Sequence, residues 1–195
     1  FSVTLRKLGS SNLTIGNLPS IEVYITEEPV PVAWYTFDQF KPGTTSPVGA
    51  KIPDLSLFGN DGVVSPFVDG GESSGEVQWV NGIYGTALRT YKMGQIMLPQ
   101  SPELDFDGAY SMTIMAWLYP VDEVYYADFL TCGECIVLQV KNSNTKLNFY
   151  AGGWGRGQAT ASVPEPWNQQ WHHIAGVVDR EVLKLYVDGE LLVTQ

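Results

Sequence analysis

The chain has 195 residues, and its 11 Lys and Arg against 21 Asp and Glu give it a formal net charge of −10. That length can bury a core, and it favours one domain with a short appendage. The excess of acidic residues argues against nucleic acid and against anionic membrane surfaces, since both attract Lys and Arg. No apolar run approaches the roughly 18 to 20 residues of a spanning helix, so we expect no direct membrane span in this segment.

The predicted elements are all β-strands. In chain order they are the segments FSVTLRKL, SIEVYI, VAWYTF, SMTIMAWLYP, CIVLQV, TKLNFYA, HHIAGVV and VLKLYV. Each is short, rich in β-branched and aromatic residues, and bounded by Gly, Pro, Asn or Asp. Asp188-Gly189 predicts a tight hairpin turn after the last of them. Many short strands with such turns predict an all-β fold, a two-sheet antiparallel jelly-roll sandwich.

One domain boundary is visible, in the stretch TEEPVP at residues 26–31. Its acidic pair and two prolines cannot continue a central strand, because proline donates no hydrogen bond to a ladder. We therefore expect an N-terminal β appendage at 1–28 and a main domain at 29–195. The appendage contains a glycosylation sequon at Asn12, which has meaning only in a protein exported through a glycosylating route. A chance occurrence is the alternative.

Cys132 and Cys135 form a single Cys-x-x-Cys pair. Neither the βαβ context of a redox site nor the second pair of a zinc site accompanies it. We favour a local disulfide across a hairpin turn, which implies an oxidising compartment and an extracellular or cell-surface location. Reduced thiols in the same turn are the alternative.

A series of phrases runs in order through residues 32–195: VAWYTFD, DLSLFGNDG, GIYGTALR, IMLPQSPELDF, YSMTIMAWLYP, KLNFYAGG, WHHIAGVVD and LKLYVDGELL. Together they resemble the laminin-G-like (concanavalin A-like) jelly-roll domains of secreted and cell-surface proteins. The resemblance implies two curved antiparallel sheets and a non-catalytic recognition or adhesion role toward a glycan or a cell-surface protein. It implies calcium in some members, and it implies that Trp34, Trp79, Trp117 and Trp171 fill the core.

The resemblance also leaves one edge of the fold open. Domains of the family continue past LYVDGELL with further strands, the last of which pairs beside the first, whereas this chain stops at Gln195. An open edge is an aggregation liability, so we expect residues 13–26 to fill it, from the same chain or a neighbouring copy, by strand addition. The phrase VTLRKLGSSNLTIGN is similar to archaeal pilin- and archaellin-like surface proteins. The recognition or adhesion module is expected to be part of a larger surface-anchored protein. Because of the missing final strand, a second possible function is a structural subunit of a cell-surface filament or layer assembled by β-strand exchange.

Oxygen-bearing side chains gather near the start of the main domain. Asp38 follows VAWYTF, and Asp54, Asn60 and Asp61 lie in the loop DLSLFGNDG. Carboxylate and amide oxygens are the ligands that calcium prefers, so these four residues form the predicted calcium site. In the alternative interpretation, Asp54 and Asn60 hydrogen-bond to the backbone of their own turn.

Aromatic residues in loop-like surroundings form the predicted ligand site: Tyr125, Tyr126, Trp154 and Trp167. Exposed Trp and Tyr rings stack on sugars, and Arg156 could hydrogen-bond hydroxyls or pair with a carboxylate. In the alternative, these loops fold back over the edges of the sheets.

The acids Glu103, Asp105 and Asp107 raise the question of catalysis. Retaining glycosidases of the same architecture carry Glu-x-Asp-x-Glu on one strand, where the period of two points the carboxylates into the cleft. Here the third acid is one methylene shorter, and in laminin-G-like domains this phrase precedes a strand with its acids in solvent. We therefore expect no catalytic residue, and a glycoside hydrolase ranks third. His172 and His173 face opposite sides of a strand, so they cannot share one metal.

Overall fold

The described part of the chain is built almost entirely from antiparallel strands. The structure is a computed structural model, and it describes residues 30–66, 75–90, 94–105, 111–121, 126–132, 136–152 and 157–195. The chain divides into two units, Phe1–Val30 and Pro31–Gln195, and the strands below belong to the second. The predicted boundary after residue 28 lies two residues before this division.

Several predictions fall outside the described residues. The glycosylation sequon at Asn12, the appendage strands and the addition of residues 13–26 to an open edge are among them. The similarity to pilin-like surface proteins rests on the same segment, so it stays a prediction as well.

Fourteen strands and one turn of 3-10 helix, Pro102–Leu104, occupy the described residues. In this part of the chain no helix has the length and apolarity to cross a bilayer. The strands are β1 (Thr45–Ser46), β2 (Lys51–Ile52), β3 (Gly62–Pro66), β4 (Val77–Asn81), β5 (Thr86–Thr90), β6 (Gly94–Met97), β7 (Ser111–Leu118), β8 (Tyr126–Cys132), β9 (Ile136–Lys141), β10 (Lys146–Ala151), β11 (Ala159–Ser162), β12 (His172–Asp179), β13 (Val182–Val187) and β14 (Glu190–Thr194).

The described strands form four sheets, of which two make the sandwich. The order β11-β10-β9-β8 forms the β9 sheet, and β14-β13-β12-β7 forms the β12 sheet; the smaller sheets are β1-β4-β5 and β2-β3-β6. The β9 and β12 sheets pack face to face through β10, β11, β13 and β14. The arrangement confirms the predicted all-β jelly-roll sandwich.

Alternate residues of each strand enter the main core. On β9 these are Ile136, Leu138 and Val140, and on β10 they are Leu147 and Phe149, all of them buried. Because side chains alternate along a strand, the residues between them lie on the opposite, outer face of the sheet. Fully burying one such side chain contributes roughly 1.5–3 kcal/mol, so this cluster is the main source of the sandwich's stability.

A second, smaller core lies beside the two three-stranded sheets. Trp79 on β4 is buried there with Ile52, and its ring stacks on Phe40 with centroids 3.9 Å apart and planes 2° from parallel. Its indole N–H donates to the Ser46 hydroxyl at 2.9 Å, which satisfies the one polar atom of this buried ring. The prediction that Trp79 is a core residue is confirmed.

Five of the predicted strands are confirmed as β7, β9, β10, β12 and β13. The Asp188-Gly189 hairpin is confirmed too, because φ is 52° at Asp188 and 86° at Gly189, as a type I′ turn requires. Residues 32–37, VAWYTF, are not a strand, so that prediction is wrong. Their backbone groups bond to a loop instead: the Trp34 carbonyl accepts a hydrogen bond from the Leu55 N–H at 2.8 Å.

The prediction of a core position is wrong for two tryptophans. Trp34 is 54% exposed and Trp117 is 44% exposed, while Trp171 is half-buried. For Trp117 the reason is its position along β7. Met112 and Ile114 pack on the core from even-numbered positions, so the odd-numbered Trp117 faces outward.

Candidate functional site

Asp54 fastens the loop of residues 54–61 to the chain segment before it. Its Oδ1 accepts hydrogen bonds from the backbone N–H groups of Trp34 and Ser56, both at 2.8 Å. Its Oδ2 accepts from the Ser56 hydroxyl at 2.5 Å and from the Asn60 N–H at 2.8 Å. Burial alone would raise the pKa of Asp54, but these hydrogen bonds outweigh burial and hold the pKa below its usual value.

Asn60 and Asp61 complete the same clamp. The Asn60 side-chain amide donates to the Val32 carbonyl at 2.8 Å, and Asp61 accepts a hydrogen bond from the Asp54 N–H at 2.8 Å. Asp61 also pairs with Lys51 at 2.5 Å, and that hydrogen bond is the main reason why the pKa of Asp61 is lowered. The turn-backbone alternative describes Asp54, which accepts from Ser56 and Asn60, whereas the Asn60 side chain bonds to Val32, outside its own turn.

The Tyr35 side chain also bonds to this loop. The Tyr35 hydroxyl donates to the Asn60 carbonyl. Burial first, and then the nearby carboxylates of Asp54 and Asp61, raise the pKa of Tyr35 to about 12. In the described ranges no three His, Cys, Asp or Glu side chains gather as a metal site would need. Calcium binding by this chain stays a prediction.

Asp38, the fourth predicted calcium ligand, holds a turn instead. Its Oδ1 accepts a hydrogen bond from the Thr86 N–H at 3.0 Å, at the end of the β4–β5 turn. Gly85 in that turn has φ 62°, and a Cβ placed on it would lie 1.9 Å from the Asp38 carboxylate. Only glycine fits so close an approach with positive φ. The pair therefore fixes the turn that carries the exposed Tyr84.

The acids considered for catalysis do not share a strand. Glu103 lies in the 3-10 turn Pro102–Leu104, and Asp105 caps the end of that turn; both are exposed. Asp107 lies outside the described residues. The strand geometry that points three carboxylates into a cleft is therefore absent at Glu103 and Asp105. That the chain is non-catalytic remains a prediction.

Trp167, predicted as an exposed ligand contact, is 2% exposed and belongs to the main core. Its ring stacks on His172, with centroids 4.4 Å apart and planes 16° from parallel. His172 Nδ1 lies 2.8 Å from Asp188 Oδ2, and its Nε2 lies 3.2 Å from the Trp167 carbonyl. His172 and Trp167 are thus structural, as the alternative of a loop folded over a sheet edge describes.

The remaining predicted ligand and disulfide residues are not described. Tyr125, Trp154, Arg156 and Cys135 lie outside the described residues. Tyr126 begins β8 and Cys132 ends it, but their side chains are also outside the described part. The predicted disulfide and the sugar contacts of these loops stay predictions.

The described residues hold an exposed row of rings that the sequence reasoning missed. It lies on the outer face of the β12 sheet, and we call it the aromatic strip: Tyr84, Trp117, Tyr119, Trp171 and His173. Tyr84 is 75% exposed, and its ring meets Trp117 edge-on at 6.0 Å. Trp117 meets His173 at 5.3 Å, and Tyr119 meets Trp171 at 5.4 Å.

Strand register builds the aromatic strip. Trp117 on β7 is directly opposite His173 on β12, and Leu118 is opposite His172. Continuing that register by one residue places Tyr119 beside Trp171, on the same outer face as Trp117. The Tyr and Trp members are uncharged and carry polar N–H or O–H groups at their ring edges; Tyr84, Trp117 and Tyr119 are exposed, and Trp171 is half-buried. Such side chains can stack on an apolar surface and hydrogen-bond at its margin.

Known proteins of the same fold bear on this geometry. Residues 94–195 match the laminin-G family model described as the concanavalin A-like lectin/glucanases superfamily. A similar solved structure is domain 4 of AbnA, a GH43 extracellular arabinanase from Geobacillus stearothermophilus, in complex with arabinotriose. It is 18% identical, with a TM-score of 0.53 over 84% of this chain and 73% of that one, a likeness that shows the fold. No curated protein sequence matches. Because the family model matches more than half of this chain, the chain belongs to the concanavalin A-like lectin/glucanases superfamily.

Proposed function

We propose that this chain is a non-catalytic carbohydrate-binding module whose aromatic strip binds a neutral glycan. The observation that carries the proposal is the exposure of Trp117, Tyr84 and Tyr119 on one outer face. Burying such rings would stabilise the fold, and contiguous exposed apolar patches mark binding surfaces. Trp and Tyr are also the residues that contribute most to binding when a partner covers them.

The chemistry of sugars matches the strip. One face of a sugar ring presents C–H groups, and its rim presents hydroxyls. The C–H face packs on the π face of Trp or Tyr, whose partial negative charge complements the C–H dipoles. The hydroxyls then reach the Trp117 N–H, the tyrosine O–H groups and the ring nitrogens of His173.

The size of the strip suits an oligosaccharide. Trp117 and Tyr119 are two residues apart along the strand direction, about 7 Å, which is on the scale of consecutive sugars in a chain. At about 200 Å² for each ring, the exposed parts of Trp117, Tyr84 and Tyr119 sum to roughly 300 Å². One side of a stable protein interface needs about 800 Å², so the area favours a few sugar units over a protein partner.

The family and the solved structure support the same class of ligand. The family description includes lectins, and the similar AbnA domain is in complex with arabinotriose. The proposal includes an extracellular or cell-surface setting, which the acidic composition and the Cys132–Cys135 pair favour. Arabinotriose is therefore the first probe, followed by neutral oligosaccharides of xylose, glucose and mannose.

Isothermal titration calorimetry of the wild-type chain and single variants tests the proposal. We expect Trp117→Ala to weaken binding at least about tenfold, which corresponds to about 1.4 kcal/mol, and Tyr84→Ala to weaken it less. Trp34→Ala is the matched control, because Trp34 is similarly exposed but makes no ring contact with the strip. Its affinity should stay within about twofold of wild type.

Two outcomes would contradict the proposal. Binding that is unchanged in folded Trp117→Ala protein would remove the strip as the site, and no binding to any neutral oligosaccharide would remove the function. Reducing ends released from a polysaccharide by the wild-type chain would show that it is catalytic.

A further inference from the structure

Two lysines lie side by side on the outer face of the β9 sheet. Lys141 on β9 is directly opposite Lys146 on β10, and both are half-buried. Lys146 Nζ donates to the Ser162 hydroxyl at 2.7 Å, and Lys141 Nζ lies 3.4 Å from the Thr160 hydroxyl. In the part of the chain that the structure describes, neither ammonium group forms an ion pair.

This placement costs stability in the free protein. Residues directly opposite in an antiparallel pair have Cα atoms about 5 Å apart, and like charges at such positions repel. The chain has a net charge of −10 and only 11 basic residues, so the pair is a local positive site in an acidic molecule. An anion held between Lys141 and Lys146 would replace the repulsion with two charge-assisted hydrogen bonds.

The neighbouring register position is polar on every strand of the sheet. Asp128, Gln139, Asn148 and Thr160 align across β8, β9, β10 and β11, on the face away from the core. The Thr160 hydroxyl donates to Asn148 Oδ1 at 2.6 Å, and burial raises the pKa of Asp128. Gln139 and Asn148 are buried, at 6% and 1% exposed, so the hydroxyls that a ligand at the lysine pair can reach are those of Thr160 at the end of this row and Ser162 beside Lys146.

We propose that Lys141 and Lys146 bind the carboxylate of an acidic saccharide, a uronic acid unit of a glycan. The two carboxylate oxygens would each accept a hydrogen bond from one ammonium group, and the sugar hydroxyls would bond to Ser162 and Thr160. A hydroxyl beside each ammonium favours a saccharide over a bare anion. The site lies on the opposite sheet from the aromatic strip and takes a different ligand, so it stands independently of the proposed function.

Calorimetry at low salt with trigalacturonate, and with the neutral trisaccharide galactotriose, tests the proposal. We expect Lys141→Gln and Lys146→Gln each to weaken trigalacturonate binding about five- to tenfold, and added salt to weaken it in the wild type. Lys184→Gln is the matched control, because Lys184 lies on the outer face of the other sheet and pairs with Asp179. Trp117→Ala should leave trigalacturonate binding unchanged.

Other readouts separate the competing explanations. Equal binding of a glutamate oligopeptide would show plain charge attraction and overturn the saccharide site. Unchanged trigalacturonate binding in both lysine variants, or no binding to the wild type, would overturn it too. Without ligand, Lys146→Gln should raise the melting temperature through relief of repulsion, and a lowered melting temperature would count against the paired-charge argument.

Discussion

Gly176 on β12 lies against the main core with no room for a side chain. The residue faces inward, opposite Ile114 and Leu185 in register, and a Cβ built on it would lie 2.6–2.8 Å from three atoms of the Phe149 ring. Phe149 is fully buried, so its ring cannot swing into solvent. Overpacking of this kind costs about 1–3 kcal/mol, and the lower entropy of the unfolded variant chain offsets about 0.4–1 kcal/mol. We expect Gly176→Ala to lower the free energy of unfolding by about 1–2 kcal/mol.

A double-mutant cycle identifies the clash. Phe149→Ala alone should cost about 3–5 kcal/mol, because it leaves a cavity. In the double variant the methyl group added at position 176 occupies part of that cavity. The combined loss should therefore be at least about 1 kcal/mol smaller than the sum of the two single losses. Urea unfolding followed by tryptophan fluorescence measures all three variants. Additive losses, or an unaffected Gly176→Ala protein, would refute the contact between these two strands.

Two further predictions concern carboxylates that anchor turns. Asp54→Ala should lower the free energy of unfolding by about 2 kcal/mol, because the N–H donors of the loop clamp lose their acceptor. The control Asp179→Ala removes one partner of an exposed ion pair and should cost under about 1 kcal/mol. Equal losses in urea unfolding would contradict the clamp. Burial would raise the pKa of Asp188, but hydrogen bonds from His172 and His173 lower it below its ordinary value. The contribution of Asp188 to stability is therefore present above about pH 4 and is lost as pH falls through the folded pKa. In Asp188→Asn the melting temperature should consequently fall less steeply on acidification than in the wild type. An equally steep fall would disprove the linkage.

The sequence predicts best those features that depend on a few neighbouring residues. The Asp188-Gly189 turn needs positive φ at two adjacent positions, and few residue pairs supply it. β9 and β10 are predicted because each is a short run rich in β-branched and aromatic residues between turn residues, and both contribute to the main core. The short strands β1 and β2, of two residues each, carry no pattern that alternation could reveal.

Other features depend on partners far along the chain, which the sequence does not display. Residues 32–37 have the composition of a strand, but they are held by Asp54 some twenty residues later instead of by a neighbouring strand. The sequence likewise did not show which partners the predicted calcium ligands would take. Asp54 and Asp61 close one loop, while Asp38 bonds across 48 residues to Thr86.

The aromatic strip was missed although the alternation along β7 contained its signal. Met112, Ile114 and Leu118 face the core, and Trp117 lies on the other face with the polar Ser111 and Thr113. The resemblance to laminin-G-like domains nevertheless favoured a buried tryptophan. Alternation alone would have placed Trp117 outside the core.

The outer face of the β12 sheet carries side chains of unequal length around Ala175. Ala175 on β12 lies in register between Met115 and Tyr186, and it is 8% exposed although it faces outward, because the longer side chains flank it. Ala175 is thus recessed between Met115 and Tyr186. Gly176, the next residue, points the other way into the core. Substitutions at outward Trp117 should therefore change affinity and leave stability nearly intact, while Gly176→Ala should change stability and leave affinity intact, a separation that a ligand site inside the sandwich could not produce.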